Sequence, residues 1–209
     1  VALRFLYSDL NNGVNASVTG ASQEMHPAWT MAADVALYYK QPISLPMGES
    51  YFGLGFNLSN LGGKMTYDDY VSNFIPANMR LGVSYEIPFD NYNRLMATVE
   101  CNKMLVPTYY SKFATNQTDN KYTQDEYSAI SSPKGWWQSF CDAPGYINET
   151  TGKTVSSALE EFQEVQWGVG LEYSYNRQFF GRVGYSHENF YKGNRRYVTL
   201  GAGFHLSIF

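Results

Sequence analysis

Two cysteines in 209 residues allow one bridge at most, so the chain is no disulfide scaffold. Charge is scarce: 16% of residues are Asp, Glu, Lys or Arg, with fifteen Lys plus Arg and a net charge of −4. A nucleic-acid binder would normally carry a basic patch, and this composition argues against one. Long apolar runs are missing too. No stretch approaches the ~20 unbroken apolar residues of a spanning helix, and the mean hydropathy is negative. What is abundant is 18 Tyr, 13 Phe and 18 Gly, with aromatics at 17% of the chain. That content excludes disorder, and the mixed composition excludes collagen-like or low-complexity structure. The length allows one large domain or two small ones. No charged segment followed by an apolar core precedes the first strand-like residues, and Val1 and Phe209 both fall in alternating runs. The expectation is a piece of a longer chain, with residues 1–209 forming part of a single domain.

Alternation of apolar and other residues marks strands with two unlike faces. It recurs in the opening run and in runs 29–39, 51–59, 79–87, 94–102, 165–175, 179–186 and 198–208. Run 165–175 is typical: Val165, Trp167, Val169, Leu171, Tyr173 and Tyr175 oppose Gln166, Gly168, Gly170, Glu172 and Ser174. The fold class is all-β, with about eight strands of roughly 8–12 residues.

A soluble sandwich or lipocalin-like barrel would show the same period with the wet face reversed. Three features favour a transmembrane antiparallel β-barrel. The non-apolar faces hold Gly, Ser, Asn and Thr with balanced charges, namely Arg4, Asp34, Arg80, Glu86, Arg94, Glu100, Glu172 and Arg182. Lysine stands only at strand ends, as Lys40 and Lys103, whereas a solvated face uses it freely. Such charges suit an enclosed polar interior, where they must be paired, and these eight are the expected lumen-lining residues. Aromatics such as Trp29, Tyr39, Tyr173 and Tyr175 crowd the ends of the apolar faces, the place of an interface girdle. Connections alternate in length: 10–28 long, 41–50 short, 60–78 long, 88–93 short, 103–164 very long, 176–178 short, 187–196 intermediate. Short turns at one rim and long loops at the other fit an outer-membrane barrel.

The 103–164 connection is too long to be passive. Helical character is expected around Asp125-Glu126-Tyr127 and over 156–162, with a loop between them that carries Trp136, Trp137 and Phe140. These rings suggest a binding surface or a plug; the alternative is packing onto the barrel rim.

Chemistry is weakly marked. The three histidines, His26, His187 and His205, lack any metal-binding spacing, so neither a metal nor another cofactor is expected. The acid pairs Asp68-Asp69 and Asp125-Glu126 read as solvated loop charge. His205 with Ser207 is the nearest thing to a catalytic pair, but no orienting acid can be named, and no enzyme activity is expected. Cys101 faces the apolar side and Cys141 sits in the long loop, so no bridge between them is expected.

Seven runs in order, TMAADVALYY (30–39), NLSNLG (57–62), FIPANMRLG (74–82), NKMLVPT (102–108), FCDAPG (140–145), WGVGLEY (167–173) and KGNRRY (192–197), resemble the PorV (LptO) family. That family is the outer-membrane component of the Bacteroidetes type IX secretion system. The resemblance covers nearly the whole chain, least in 116–125 and 146–158. It implies a FadL-like barrel, fourteen strands in full, of which this chain would cover about eight. It also implies a non-enzymatic shuttle. Such a protein binds the C-terminal signal domain of secreted cargo at the translocon (Sov, or SprA) and delivers it to the attachment complex containing PorU. Exposed loops would carry these contacts, which nominates Trp136, Trp137 and Phe140, with Tyr109 and Tyr110 behind them. The other reading is a FadL-like outer-membrane transporter of hydrophobic small molecules. A conduit needs a greasy path, while the inner faces here are polar.

Overall fold

A computed structural model describes residues 1–10, 26–68, 72–108, 124–148 and 151–206. Eight long strands carry the architecture: β1 (Ala2–Ser8), β2 (Ala28–Leu45), β3 (Gly48–Gly62), β4 (Asn78–Pro88), β5 (Asn93–Met104), β6 (Gln166–Tyr175), β7 (Phe179–His187) and β8 (Arg196–Phe204). Each bonds to its neighbour in sequence, so one eight-stranded sheet runs from β1 to β8 as a meander. The all-β, barrel-like expectation holds, although β1 and β8 remain the two ends of the order and the sheet does not close. Among the described residues no helix is long and apolar enough to cross a membrane, which leaves strand crossing untouched.

The connections keep their predicted alternation, but two boundaries move. Residues 41–50 were expected as a connection, yet pairing continues through Leu45 and resumes at Gly48, leaving a two-residue turn. Gln41 and Pro42 interrupt the amphipathic pattern without stopping the strand, and Ile43 and Leu45 resume the parity of Leu37 and Tyr39. Backbone pairing asks for no amphipathicity, so period alone underestimates a hairpin that runs past its apolar stretch. The last strand starts at Arg196 and ends at Phe204, against an expected 198–208.

The chain divides into two compact units. The first comprises 1–35, 58–78 and 104–162. In it β1 pairs with the start of β2, so that Arg4 faces Ala32 and Phe5 faces Met31. The long connections supply helices α1 (Gln124–Ala129), α2 (Ser132–Gln138) and α3 (Ser157–Gln163), with the two-residue ribbon of Tyr146–Ile147 on Thr154–Val155. The core of this unit is made of Ala28, Ala32, Ile75, Ala77, Leu105, Ile130, Ala143, Tyr146 and Val155, all buried. Two glycines are fixed by geometry. Gly145 has φ +81°, and a Cβ there would stand 2.8 Å from the Val155 carbonyl oxygen. Gly135 lets α2 lie on the Phe74 ring, where a Cβ would meet ring carbon at 2.7 Å.

The second unit comprises 36–57, 79–103 and 163–209. Its registers place like with like. Ala97, Leu171, Val183 and Leu200 form one row across β5 to β8, and Val99, Val169, Tyr185 and Val198 form another. On the opposite face the rows are Met96, Glu172, Arg182 and Gly201, then Thr98, Gly170, Gly184 and Thr199. The apolar rows lie open: Leu171 is 46% exposed and Leu200 83%. An apolar surface this extensive is incompatible with a free water interface. Strands of 9 to 12 residues fit the ~9–11 needed to cross a bilayer at a tilt. One turn in this sheet is strained. Asn176 and Arg177 both have positive φ, 53° and 54°, as the two central residues of the turn in which the Gln178 N–H donates to the Tyr175 carbonyl at 3.0 Å.

Candidate partner-binding surface and polar face

The long connection is a built structure. Helix α2 begins with Pro133 in its first turn, where a missing N–H costs nothing, and ends where the Ser139 N–H donates to the Gly135 carbonyl at 3.0 Å. The segment expected as a loop around Trp136 and Trp137 is therefore helical. Gly135 and Pro133 are poor helix formers, and the packing of Gly135 against Phe74 and Pro107 overrides them. Phe74 is also met edge-on by Tyr127 at 5.4 Å, and the Lys64 ammonium lies 4.1 Å from its centroid. That ammonium donates to the Tyr127 and Ser128 carbonyls at 3.3 and 3.0 Å, giving α1 the cation its own last turn lacks. Partial burial lowers the Lys64 pKa from its ordinary value.

After α2 the chain is clamped. Asp142, with no exposed surface, accepts from the Thr108 N–H at 2.8 Å and the Thr108 hydroxyl at 3.2 Å. Glu161 accepts from the Ala143 N–H and Glu160 from the Gly145 N–H, each at 2.7 Å. Three carboxylates thus hold the 140–145 segment by its backbone and by Thr108. Three acids bonded this way, Asp142 and Glu160 fully buried, are a rigid frame. On that frame Trp137 is 79% exposed and Phe140 37% exposed, while Trp136 is half-buried. Leu159 and Phe162, three residues apart on α3, are exposed as well. Tyr109 and Tyr110 lie outside the described residues, as do Asp69 and Ser207.

The eight charges expected on the inner faces separate into pairs and singles. Arg4 bonds Asp34 through Nε at 2.7 Å, and Asp34 also accepts from the Asn60 N–H at 2.8 Å. Arg94 bonds Glu86 at 2.7 Å, and Arg182 bonds its register partner Glu172. Arg80 and Glu100 are exposed and form no ion pair among the described residues, so the pairing expected of all eight holds for six.

Sequence reasoning missed a second polar cluster. Lys103, read as a strand-end lysine, is buried and bonds Glu164 at 2.8 Å, and Lys192 bonds the other oxygen of that carboxylate at 2.9 Å. Nearby in sequence, Arg195 bonds Glu188, which also accepts from Gln166. The bond from Arg195 holds the Glu188 carboxyl below its usual range, against the opposing effect of burial. The charges in KGNRRY were the available signal, but partners 61 residues apart, as Lys103 and Glu164 are, leave no local pattern.

No group of three or more His, Cys, Asp or Glu residues placed to hold a metal occurs among the described residues. Cys101 and Cys141 are free thiols. His205 is exposed on the polar side.

No curated protein matches this chain. The family model described as type IX secretion system protein PorV matches residues 1–111, just over half of it. The match takes in β1 to β5 with Arg4, Asp34, Arg80, Glu86, Arg94 and Glu100, and stops before Trp136, Trp137 and Phe140. On that match, and on the sheet described above, the chain belongs to the PorV family of type IX secretion system proteins.

Proposed function

We propose that this protein is a non-enzymatic carrier of the type IX system, seated in the outer membrane as part of a single barrel domain. It binds the C-terminal signal domain of secreted cargo at the translocon (Sov, or SprA) and passes it to the attachment complex containing PorU. The observation that carries this reading is the pair of exposed rings, Trp137 and Phe140, mounted on the carboxylate frame of the long connection. Aromatic anchors on a rigid support lose little conformational freedom on binding, which makes them efficient contact residues. Trp136, Tyr109 and Tyr110 would extend the contact. The open apolar rows of β5 to β8 supply the surface for outer-membrane lipid. The Arg–acid pairs on the polar face favour this reading over a FadL-like conduit, which needs an apolar path.

The test is Trp137→Ala combined with Phe140→Ala in the intact protein. Co-purification of signal-domain cargo is expected to weaken by about 10- to 100-fold, the range of two interface anchors, while the folded barrel keeps its heat-modifiable gel mobility. Undiminished capture by this variant would overturn the reading.

A further inference from the structure

Near the short-turn rim, the polar face of the second unit holds a hollow of about 360 Å³ lined by side chains of β2 to β7, of the turn between β6 and β7, and by His205 just past β8. Its acids are already committed: Glu86 to Arg94 and Glu172 to Arg182. Two further cations line it without a carboxylate partner among the described residues. Lys40 lies over the Tyr51 ring with its ammonium 3.8 Å from the centroid. Arg177 projects from the hairpin turn between β6 and β7. With those pairs set aside, Lys40 and Arg177 are the remaining cations of the lining, and Glu49 stands at its edge, accepting from the Tyr51 hydroxyl at 2.9 Å. Tyr51, Phe180 and Met96 supply apolar surface beside them. The volume sits at the small end of ligand pockets.

We infer that this hollow is an anion site for a phosphate group, held between Lys40 and Arg177, with the rings as walls for an apolar substituent. Two cations match the charge of a phosphate monoester, about −1.5 to −2 at neutral pH, better than that of a single carboxylate. Arg177 supplies a planar fork suited to two phosphate oxygens, and Lys40 a point charge. The site is independent of the aromatic surface on the long connection, and its failure would leave the carrier reading intact.

The experiment is titration calorimetry on the intact protein in a non-ionic detergent at low ionic strength. Two probes are used in turn, inorganic phosphate and the short-chain lipid dihexanoyl phosphatidic acid. The wild-type protein is expected to bind phosphate, and Lys40→Gln with Arg177→Gln to weaken it at least 10-fold. Arg80→Gln, which alters an unpaired arginine that does not line the hollow, should leave binding unchanged. Arg177→Gly serves as a second variant that guards against misfolding of the double one. Glycine accepts the positive φ of that position, so it removes the fork and spares the turn, and several-fold weaker binding is expected. The lipid binding at least 10-fold more tightly than phosphate identifies a headgroup as the occupant; equal affinity identifies a free phosphate. Binding of neither probe by the wild type, or unchanged binding in Arg177→Gly, overturns the proposal.

Discussion

The two units differ in whether their apolar side chains close a core. In the first, Ala28, Ile75, Leu105, Ile130, Tyr146 and Val155 turn inward, as in any water-soluble core. In the second, Pro88 alone among the described apolar side chains reaches that degree of burial; Val169, Leu171, Val183 and Leu200 lie open, and ion pairs occupy the other face. The difference teaches where the solvent changes. The hydrophobic effect drives both arrangements: the long connections of the first unit close a core of their own, whereas β1, the start of β2 and the strands of the second unit leave apolar rows open, Leu3, Phe5, Trp29 and Met31 among them. The aromatic surface proposed for cargo belongs to the first unit, beside its core, and the phosphate hollow to the second.

The sharpest way to break this comparison is to remove the centre of the first core. Tyr146 is 1% exposed. Tyr146→Ala is expected to cost about 3–5 kcal/mol, as large aromatic truncations do. The loss should stay within the first unit: limited proteolysis should cut within 124–162 while the sheet remains protease-resistant. If both units were lost together, the division would be wrong.

The second prediction inverts the test. Leu171 is nearly half exposed, and a solvated position would tolerate Leu171→Arg within about ±0.5 kcal/mol. At a lipid-facing position near the bilayer midplane the cost is about 2–4 kcal/mol. Urea unfolding in lipid vesicles measures it directly. A neutral result would place this face in water and refute the membrane assignment.

How much of this was readable beforehand follows from the range over which each feature acts. The faces of β6 were legible because strict alternation over 165–175 is a local property, and so was the Glu172–Arg182 pair, which lies across one hairpin. Helix α2 was not, because Pro133 and Gly135 argue against a helix and only Phe74 and Pro107, distant in sequence, supply its support. The Lys103–Glu164–Lys192 cluster was illegible for the same reason. Trp137 and Phe140 were visible as rings in a long connection, but not the carboxylates that fix the backbone just after them at Ala143 and Gly145.

That frame gives a third prediction, of intermediate size. Asp142→Ala leaves the Thr108 N–H and hydroxyl without their buried acceptor, at about 1–3 kcal/mol. Stability of the sheet should be unaffected, whereas signal-domain binding should weaken because Trp137 and Phe140 lose their support. Binding unchanged despite a loosened 140–145 segment would separate the rings from the frame.

The smallest expected effect is a pH dependence at the edge of the second unit. Glu188, held by Arg195, has its carboxyl pKa lowered in the folded state. The folded form therefore binds this proton less readily than the unfolded form. Its contribution is complete above the ordinary glutamate value near 4.5 and is lost as pH falls through the lower folded value. Amide exchange over 188–195, corrected for intrinsic rates, should be slow at pH 7 and accelerate as the pH is taken towards 3. Glu188→Gln should exchange faster at pH 7 and lose most of this acid dependence, because its amide cannot titrate. An identical acid response in both proteins would assign the loosening to another group.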